Sequence, residues 1–308
     1  MMTVTASLVK ELREKSGAGM MDCKKALIET GGYLDAAVDW LRKKGLVAAA
    51  KKSSRIAADG LVGVVVNDNK GAILEVNSET DFLARNEVFK NFVSTVTNLV
   101  VRHGEDIENL NNITYPATCR TVAEQLASNV AIIGEKISLR RAKILSVSDG
   151  VVVPYVHNAV QPGLGKIGVL VALDSTGDKA KLYDIGKQIA MHVAAAAPRC
   201  LSIEDLDKEA TKRERSILTE QIDSIKNRDD ITAKIIEGRM QKFYQDVVLL
   251  EQKFVINGEI QISEFVENAS NSVGAPVNLS GFARIQLGEG IERKEANFAT
   301  QVAASLAS

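Results

Sequence analysis

The residue types able to do chemistry in this chain are few and poorly placed for it. Gly163-Leu164-Gly165-Lys166-Ile167-Gly168 satisfies the spacing GxGxxG, in which glycines let backbone approach a pyrophosphate seated on a helix N-terminus. Here an apolar run, Gly168 to Leu173, follows the motif instead of preceding it. The match therefore reads as a hairpin loop entering a strand. There is no GxxxxGK[ST] phosphate loop and no GxSxG nucleophile elbow. His103, His157 and His192 lie far apart, with neither HExxH nor a neighbouring cysteine to complete a zinc set. Cys23, Cys119 and Cys200 are odd in number, form no CxxC and suit a reducing compartment. Carboxylates abound, yet spacing singles out no pair. The expectation is no catalytic residue, no metal and no cofactor: a binding protein, not an enzyme.

Bulk composition narrows the partner. Lysine plus arginine, 38, almost cancels aspartate plus glutamate, 39, which removes the basic footprint of most nucleic-acid and anionic-membrane binders. No apolar run approaches the roughly 18 residues of a spanning helix. The expectation is a soluble, cytoplasmic protein without a nucleic-acid or membrane partner. With 308 residues and 45% apolar content, two or three globular units are expected.

The elements that must position any binding residues follow from periodicity and point to an α+β fold. Residues 1–54 read as three short helices, with Leu8, Val9 and Leu12 on one face, Cys23 and Leu27 on another, and Leu34, Val38 and Leu41 on a third. Ala48 to Lys52 reads as a linker, making this a separable module. The chain then repeats itself. Ala58-Asp59-Gly60-Leu61-Val62 returns as Ser148-Asp149-Gly150-Val151-Val152, and each copy continues as a hairpin and a helix. The helix faces carry Phe89, Phe92, Val96 and Leu99 in one copy, and Leu182, Ile185, Ile189 and Val193 in the other. The first copy, residues 55–146, closes with a helix over Val122 to Ile133 and a strand from Ile137 to Ile144. The second spans 147–202 and 248–287, and its closing pair is displaced to Ile262 to Asn271 and Phe282 to Leu287.

Between the two parts of the second copy, residues 203–247 read as an antiparallel helical hairpin turning at Asn227-Arg228-Asp229-Asp230. It serves either as a solvated spacer or as a contact and self-association arm. Residues 288–308 open with Gly288-Glu289-Gly290 and continue as a helix whose Ile291, Phe298 and Val302 need a surface to pack on.

Two segments do not suit internal packing. Met20 and Met21 stand together where a glycine-rich loop enters a helix, so at least one faces a partner unless both fill the small module's core. Thr80-Asp81-Phe82-Leu83-Ala84-Arg85-Asn86 lies between strand and helix of the first copy, where the second has Ser175-Thr176-Gly177-Asp178 and no aromatic. Leaving a phenylalanine unburied there forgoes on the order of 2 kcal/mol unless a partner receives it. The alternative is that Phe82 folds back as a helix staple.

Ser16 to Leu27 (SGAGMMDCKKAL), Thr80 to Phe89 (TDFLARNEVF), Ala190 to Ala195, Glu237 to Phe243 and Gly288 to Glu292 resemble the elongation factor Ts family, in order, over nearly the whole chain. The sequence departs mildly at Ser16, Leu83, Arg85 and the Asn158 to Leu164 loop. The resemblance implies a module similar to ubiquitin-associated domains, two related α+β subdomains, a coiled-coil hairpin and a C-terminal helix. It also implies a guanine nucleotide exchange factor whose partner is elongation factor Tu. On that resemblance Leu12, Met20, Met21, His157, Ile291 and Phe298 are contact candidates. Thr80, Asp81, Phe82 and Leu83 form the segment that disturbs the partner's Mg²⁺ and phosphate site. Two other readings stay open: a ubiquitin-associated-like adaptor with an inert core, and an enzyme built on the glycine motif.

Overall fold

The computed structural model describes residues 4–223 and 229–292. Helix α1 (Ala6–Ser16) starts where the Thr5 hydroxyl accepts the Leu8 N–H at 3.3 Å, and stops at Gly17 in the left-handed region, φ 69°. Helices α2 (Met20–Glu29) and α3 (Leu34–Lys52) complete a module closed around Leu12, Cys23, Ala26, Leu27 and Ala37, all fully buried. Two expectations are corrected here. Leu12 is a core residue, because the inward face of α1 has nothing larger to pack on α2, and it offers no surface to a partner. Ala48 to Lys52 is no linker: alanine and lysine are strong helix formers, and no proline or glycine interrupts them, so α3 runs on to Lys52.

The first lobe is β1 (Asp59–Asn67), β2 (Lys70–Ser78), α4 (Glu87–His103), α5 (Ile107–Asn112), α6 (Val122–Ile133) and β3 (Ile137–Ser146). The second is β4 (Gly150–His157), β5 (Leu164–Gly165), β6 (Ile167–Asp174) and α7 (Lys179–Ala196), then the inserted helices α8 (Lys208–Asp223) and α9 (Asp229–Val247). It closes with α10 (Ile262–Val273) and β7 (Asn278–Gln286). Helices α8 and α9 touch, with an Arg215–Glu237 ion pair between them. The turn expected between them lies partly outside the described residues, as does all of the last helix beyond Glu292, including Phe298.

Both sheets are antiparallel, with strand orders β3-β2-β1-β5 and β4-β6-β7. The repeat extends to backbone irregularities. Register shifts once in each copy, so that Arg140 is the extra residue opposite Glu75/Val76 and Ser280 the extra residue opposite Ala172/Leu173. The recurring Asp-Gly has a steric cause: a Cβ on Gly60 would lie 2.1 Å from the Val76 carbonyl oxygen, and one on Gly150 2.0 Å from that of Leu173. Both glycines hold positive φ, 127° and 144°.

The sheets stack face to face through Val62, Val64 and Ile73 against Val152, Leu170 and Ala172. Helix α4 covers the outer face of one sheet with Phe89, Phe92 and Val96, and α7 covers the other with Leu182, Ile189 and Val193. The second lobe also lends β5 to the edge of the first sheet, pairing Gly165 with Val62. The lobes thus share a core. The module docks on it by laying α3 along α6, with Gly45 against Ala127 and Ala131. Arg42 pairs with Glu124 across this seam. No helix among the described residues is long and apolar enough to cross a membrane.

Candidate partner-binding site

Strand β2 leaves the first lobe at Ser78, whose hydroxyl donates to the Thr80 carbonyl at 2.9 Å. Thr80 is held from the far side by Glu135, which accepts the Thr80 N–H at 3.0 Å and the Thr80 hydroxyl at 2.8 Å. A short 3-10 turn, Asp81–Arg85, follows, and Asn86 caps α4 by accepting the Phe89 N–H at 3.1 Å. With three residues per turn, one side must face the core. Leu83 and Ala84 take it and are buried, while Asp81 is exposed and Phe82 is 76% exposed. Leu83, expected within the segment that disturbs the partner's Mg²⁺ and phosphate site, presents no side chain outward: it anchors the turn from below, among the lobe's core residues.

The second copy shows what the same junction does without an aromatic. Asp178 caps α7 by accepting the Ala180 and Lys181 N–H groups, just as Asn86 caps α4. Between strand and cap there are only residues 175–177, against 79–85 in the first copy. Ser175 is buried, and a Cβ on Gly177 would meet a Val273 methyl at 2.2 Å. One junction packs flat on its own lobe; the other projects a ring.

Met20 and Met21 open α2 behind Gly19 and are 59% and 74% exposed, so neither fills the module's core. They line a groove of about 610 Å³ whose apolar floor is Val4, Ala6 and Val9 and whose cationic rim is Lys10, Arg13 and Lys24. His157 is exposed at the end of β4, its Nδ1 3.2 Å from the Tyr155 hydroxyl. It borders a separate groove of about 300 Å³ with Met191, Val255 and Ile256. Ile291 is half-buried just after Gly288. The structure thus joins Met20 with Met21, and Asp81 with Phe82, and leaves these pairs, His157 and Ile291 on four separate elements.

Two residues that organise the site were not anticipated. Glu75 is completely buried in β2, where its carboxylate accepts Arg140, Arg141, Asn77 and the Gly288 N–H. Burial alone would raise its pKa, but the Gly288 N–H, Arg141, Asn77 and Arg140 together outweigh burial and hold it below the ordinary value. A charge inside the apolar run Ala72 to Val76 was the available signal. Glu135 carried none, since its partner lies 55 residues earlier. No group of three or more histidine, cysteine or acidic side chains among the described residues could hold a metal ion.

The family model described as Elongation factor TS matches residues 79–289, from the residue before Thr80 to the Glu289 that follows Gly288. The chain belongs to the elongation factor Ts family. An elongation factor Ts from Rhodospirillum centenum is 58% identical over 303 residues, covering 98% of this chain and 99% of that protein. One from Rhodospirillum rubrum is 56% identical over 307 residues, 99% of each chain, and one from Rhizobium etli is 50% identical over 306 residues, again 99% of each. The elongation factor Ts likeness therefore includes the N-terminal module, which lies outside the span matched by the family model.

Proposed function

We propose that this protein is a cytoplasmic guanine nucleotide exchange factor. It binds elongation factor Tu carrying GDP, disturbs the partner's Mg²⁺ and phosphate site and so lets GTP replace GDP during translation elongation. The observation that carries this reading is Phe82: a bare ring on a turn whose neighbours Leu83 and Ala84 are sunk in the core. Such a ring gains about 1.5–3 kcal/mol on burial, and a fixed anchor lets it deliver that energy as displacement of whatever receives it. Phosphate loops and Mg²⁺ need close-set geometry, so a small shift there loosens a nucleotide.

The work is thermodynamic coupling and no bond is made or broken. By linkage, the exchanger binds nucleotide-free partner more tightly than the GDP form by the same factor by which it weakens GDP. A thousandfold factor corresponds to about 4 kcal/mol, within reach of Phe82, Met20, Met21 and the final segment together. The ubiquitin-associated-like module supplies one grip, His157 and its groove a second, and Ile291 with Phe298 a third. The test is release of a fluorescent GDP analogue from purified elongation factor Tu. Acceleration by catalytic amounts of this protein, with no GDP binding by the protein alone, is the expected result; unchanged release overturns the reading.

A further inference from the structure

The Thr80–Glu135 contact belongs to a longer chain of polar contacts. Glu79, the residue before Thr80, accepts the Lys136 N–H at 2.6 Å and the Arg55 guanidinium at 3.2 Å. Lys136 in turn donates from Nζ to the Arg55 carbonyl at 2.7 Å. Arg55 lies three residues past the end of α3, the helix that docks the module, while Glu135 and Lys136 come just after the Gly134 cap of α6, the helix it docks against. At the root of the Phe82 turn, Thr80 is thus held by the Glu135 carboxylate, while the carboxylate of adjacent Glu79 is held by Arg55 and Lys136, so both contacts lead back to the ends of the two helices that form the seam.

We propose that Glu135 is a positioning residue for Phe82: its carboxylate clamps the root of the turn, and with Glu79–Arg55 it ties the angle of the ring to the docked position of the N-terminal module. The proposal rests on the wedge reading of Phe82 given above. Its physical basis is that one carboxylate accepting both donors of Thr80 fixes that residue's extended backbone, φ −125°, ψ 157°, from which the 3-10 turn springs. Without the clamp the Leu83 and Ala84 anchor remains, so the ring stays on the surface but loses a defined approach. Misplacing a working group by about 1 Å lowers a rate by up to about 100-fold while most binding area is untouched.

The experiment measures GDP release from elongation factor Tu against concentration of the full-length exchanger, for Glu135→Ala, Glu135→Gln, Phe82→Ala and the double variant Phe82→Ala/Glu135→Ala. Glu135→Ala is expected to lower the saturating rate roughly tenfold while the half-saturating concentration moves less than about threefold. Glu135→Gln, which keeps one acceptor oxygen, recovers part of the rate. In the Phe82→Ala background Glu135→Ala adds little, because it acts through the ring. An unchanged rate in Glu135→Ala, or the same loss with and without the ring, overturns the proposal. Should Glu135→Ala fail to fold, Thr80→Val removes the hydroxyl arm alone and is read in the same way. A slow Phe82→Ala beside a fast Glu135→Ala removes the clamp only; a fast Phe82→Ala removes the wedge and the clamp with it.

Discussion

The Glu75 carboxylate in the middle of the first sheet accepts the backbone N–H of Gly288 at 2.8 Å, so the start of the C-terminal segment is fastened inside the lobe that carries Phe82. Arg141 extends the same fastening by donating to the Gln286 carbonyl at 3.1 Å and to Glu289 at 3.2 Å. Glu75→Gln leaves Arg140 and Arg141 facing an uncharged partner in a buried site and is expected to cost about 3 kcal/mol in urea denaturation at pH 7. Because the folded pKa lies below the ordinary 4.5, the ionised carboxylate contributes fully above that value. That contribution is lost as pH falls through the folded value, and Glu75→Gln should flatten this acid limb of the stability profile.

His192 gives a second, separate pH dependence. Its Nδ1 accepts the Val255 N–H at 3.2 Å, so the proton sits on Nε2, 2.9 Å from the Gln252 side-chain oxygen. Burial lowers its pKa below 6.5, against a smaller upward pull from Gln252. A histidine shifted this way stabilises the fold fully above 6.5, and that contribution is lost as pH falls through the folded value. Thermal midpoints of the intact protein should fall across this window, and those of His192→Asn should fall less.

The seam between module and lobe predicts a stabilising change. A Cβ on Gly45 would meet the Ala127 carbonyl oxygen at 3.5 Å and the Ala131 methyl at 3.7 Å, which are ordinary contacts. Gly45→Ala should raise stability by up to about 1 kcal/mol through helix propensity. Gly45→Leu has no such room and should cost about 1–3 kcal/mol. Equilibrium denaturation of both variants checks the pair.

Gly45 also shows where sequence reasoning stopped. Local signals were legible: the helix over Val122–Ile133 and the opening of β3 at Ile137 follow from periodicity, and the Asp-Gly repeat marks the start of each hairpin, although the backbone approach that admits no Cβ there is a feature of the fold. Ala48 to Lys52 has the small and charged composition of a linker, but its alanines and lysines are also strong helix formers, and in the fold that propensity wins. Leu12 and Leu83 misled because residues beside exposed ones in sequence lie on the opposite side of a helix or 3-10 turn. Glu135 was invisible for a different reason: its partner is set by tertiary approach of two loops, which no spacing encodes.

Met20 and Met21 should separate affinity from stability. Both are exposed over an apolar groove with a cationic rim, which suits an apolar partner helix bearing acidic residues. Changing both to serine removes two side chains each able to contribute about 1.5 kcal/mol on burial, so affinity for elongation factor Tu should fall roughly a hundredfold. The denaturation midpoint should stay close to that of the parent protein, since neither side chain is in the core. Titration calorimetry and denaturation of the same sample decide it; a large loss of stability would return the methionines to a structural role.

Phe82→Ala should produce the complementary phenotype. The second copy builds the same strand-to-helix junction with residues 175–177 and no aromatic, so the fold has no need of the ring. Leu83 and Ala84 remain to anchor the turn, and Asn86 remains to cap α4. Stability should therefore change by less than about 0.5 kcal/mol, as for other exposed substitutions. On the proposed exchange reading, complex formation should weaken modestly, because the Met20 groove, the His157 groove and the final segment are left unchanged as contact surfaces. GDP release should slow far more, since the proposal assigns displacement of the phosphate or metal site to this one projection; losing about 2 kcal/mol of coupling would slow it roughly thirtyfold. Asp81→Ala should act in the same direction and more weakly, as it is exposed on the same turn and bears no apolar surface. Stopped-flow release of a fluorescent GDP analogue, paired with equilibrium binding, distinguishes the two effects. Slow release with near-parental affinity and stability fits a wedge; parallel loss of affinity and rate would make Phe82 an ordinary contact and move the displacing group elsewhere.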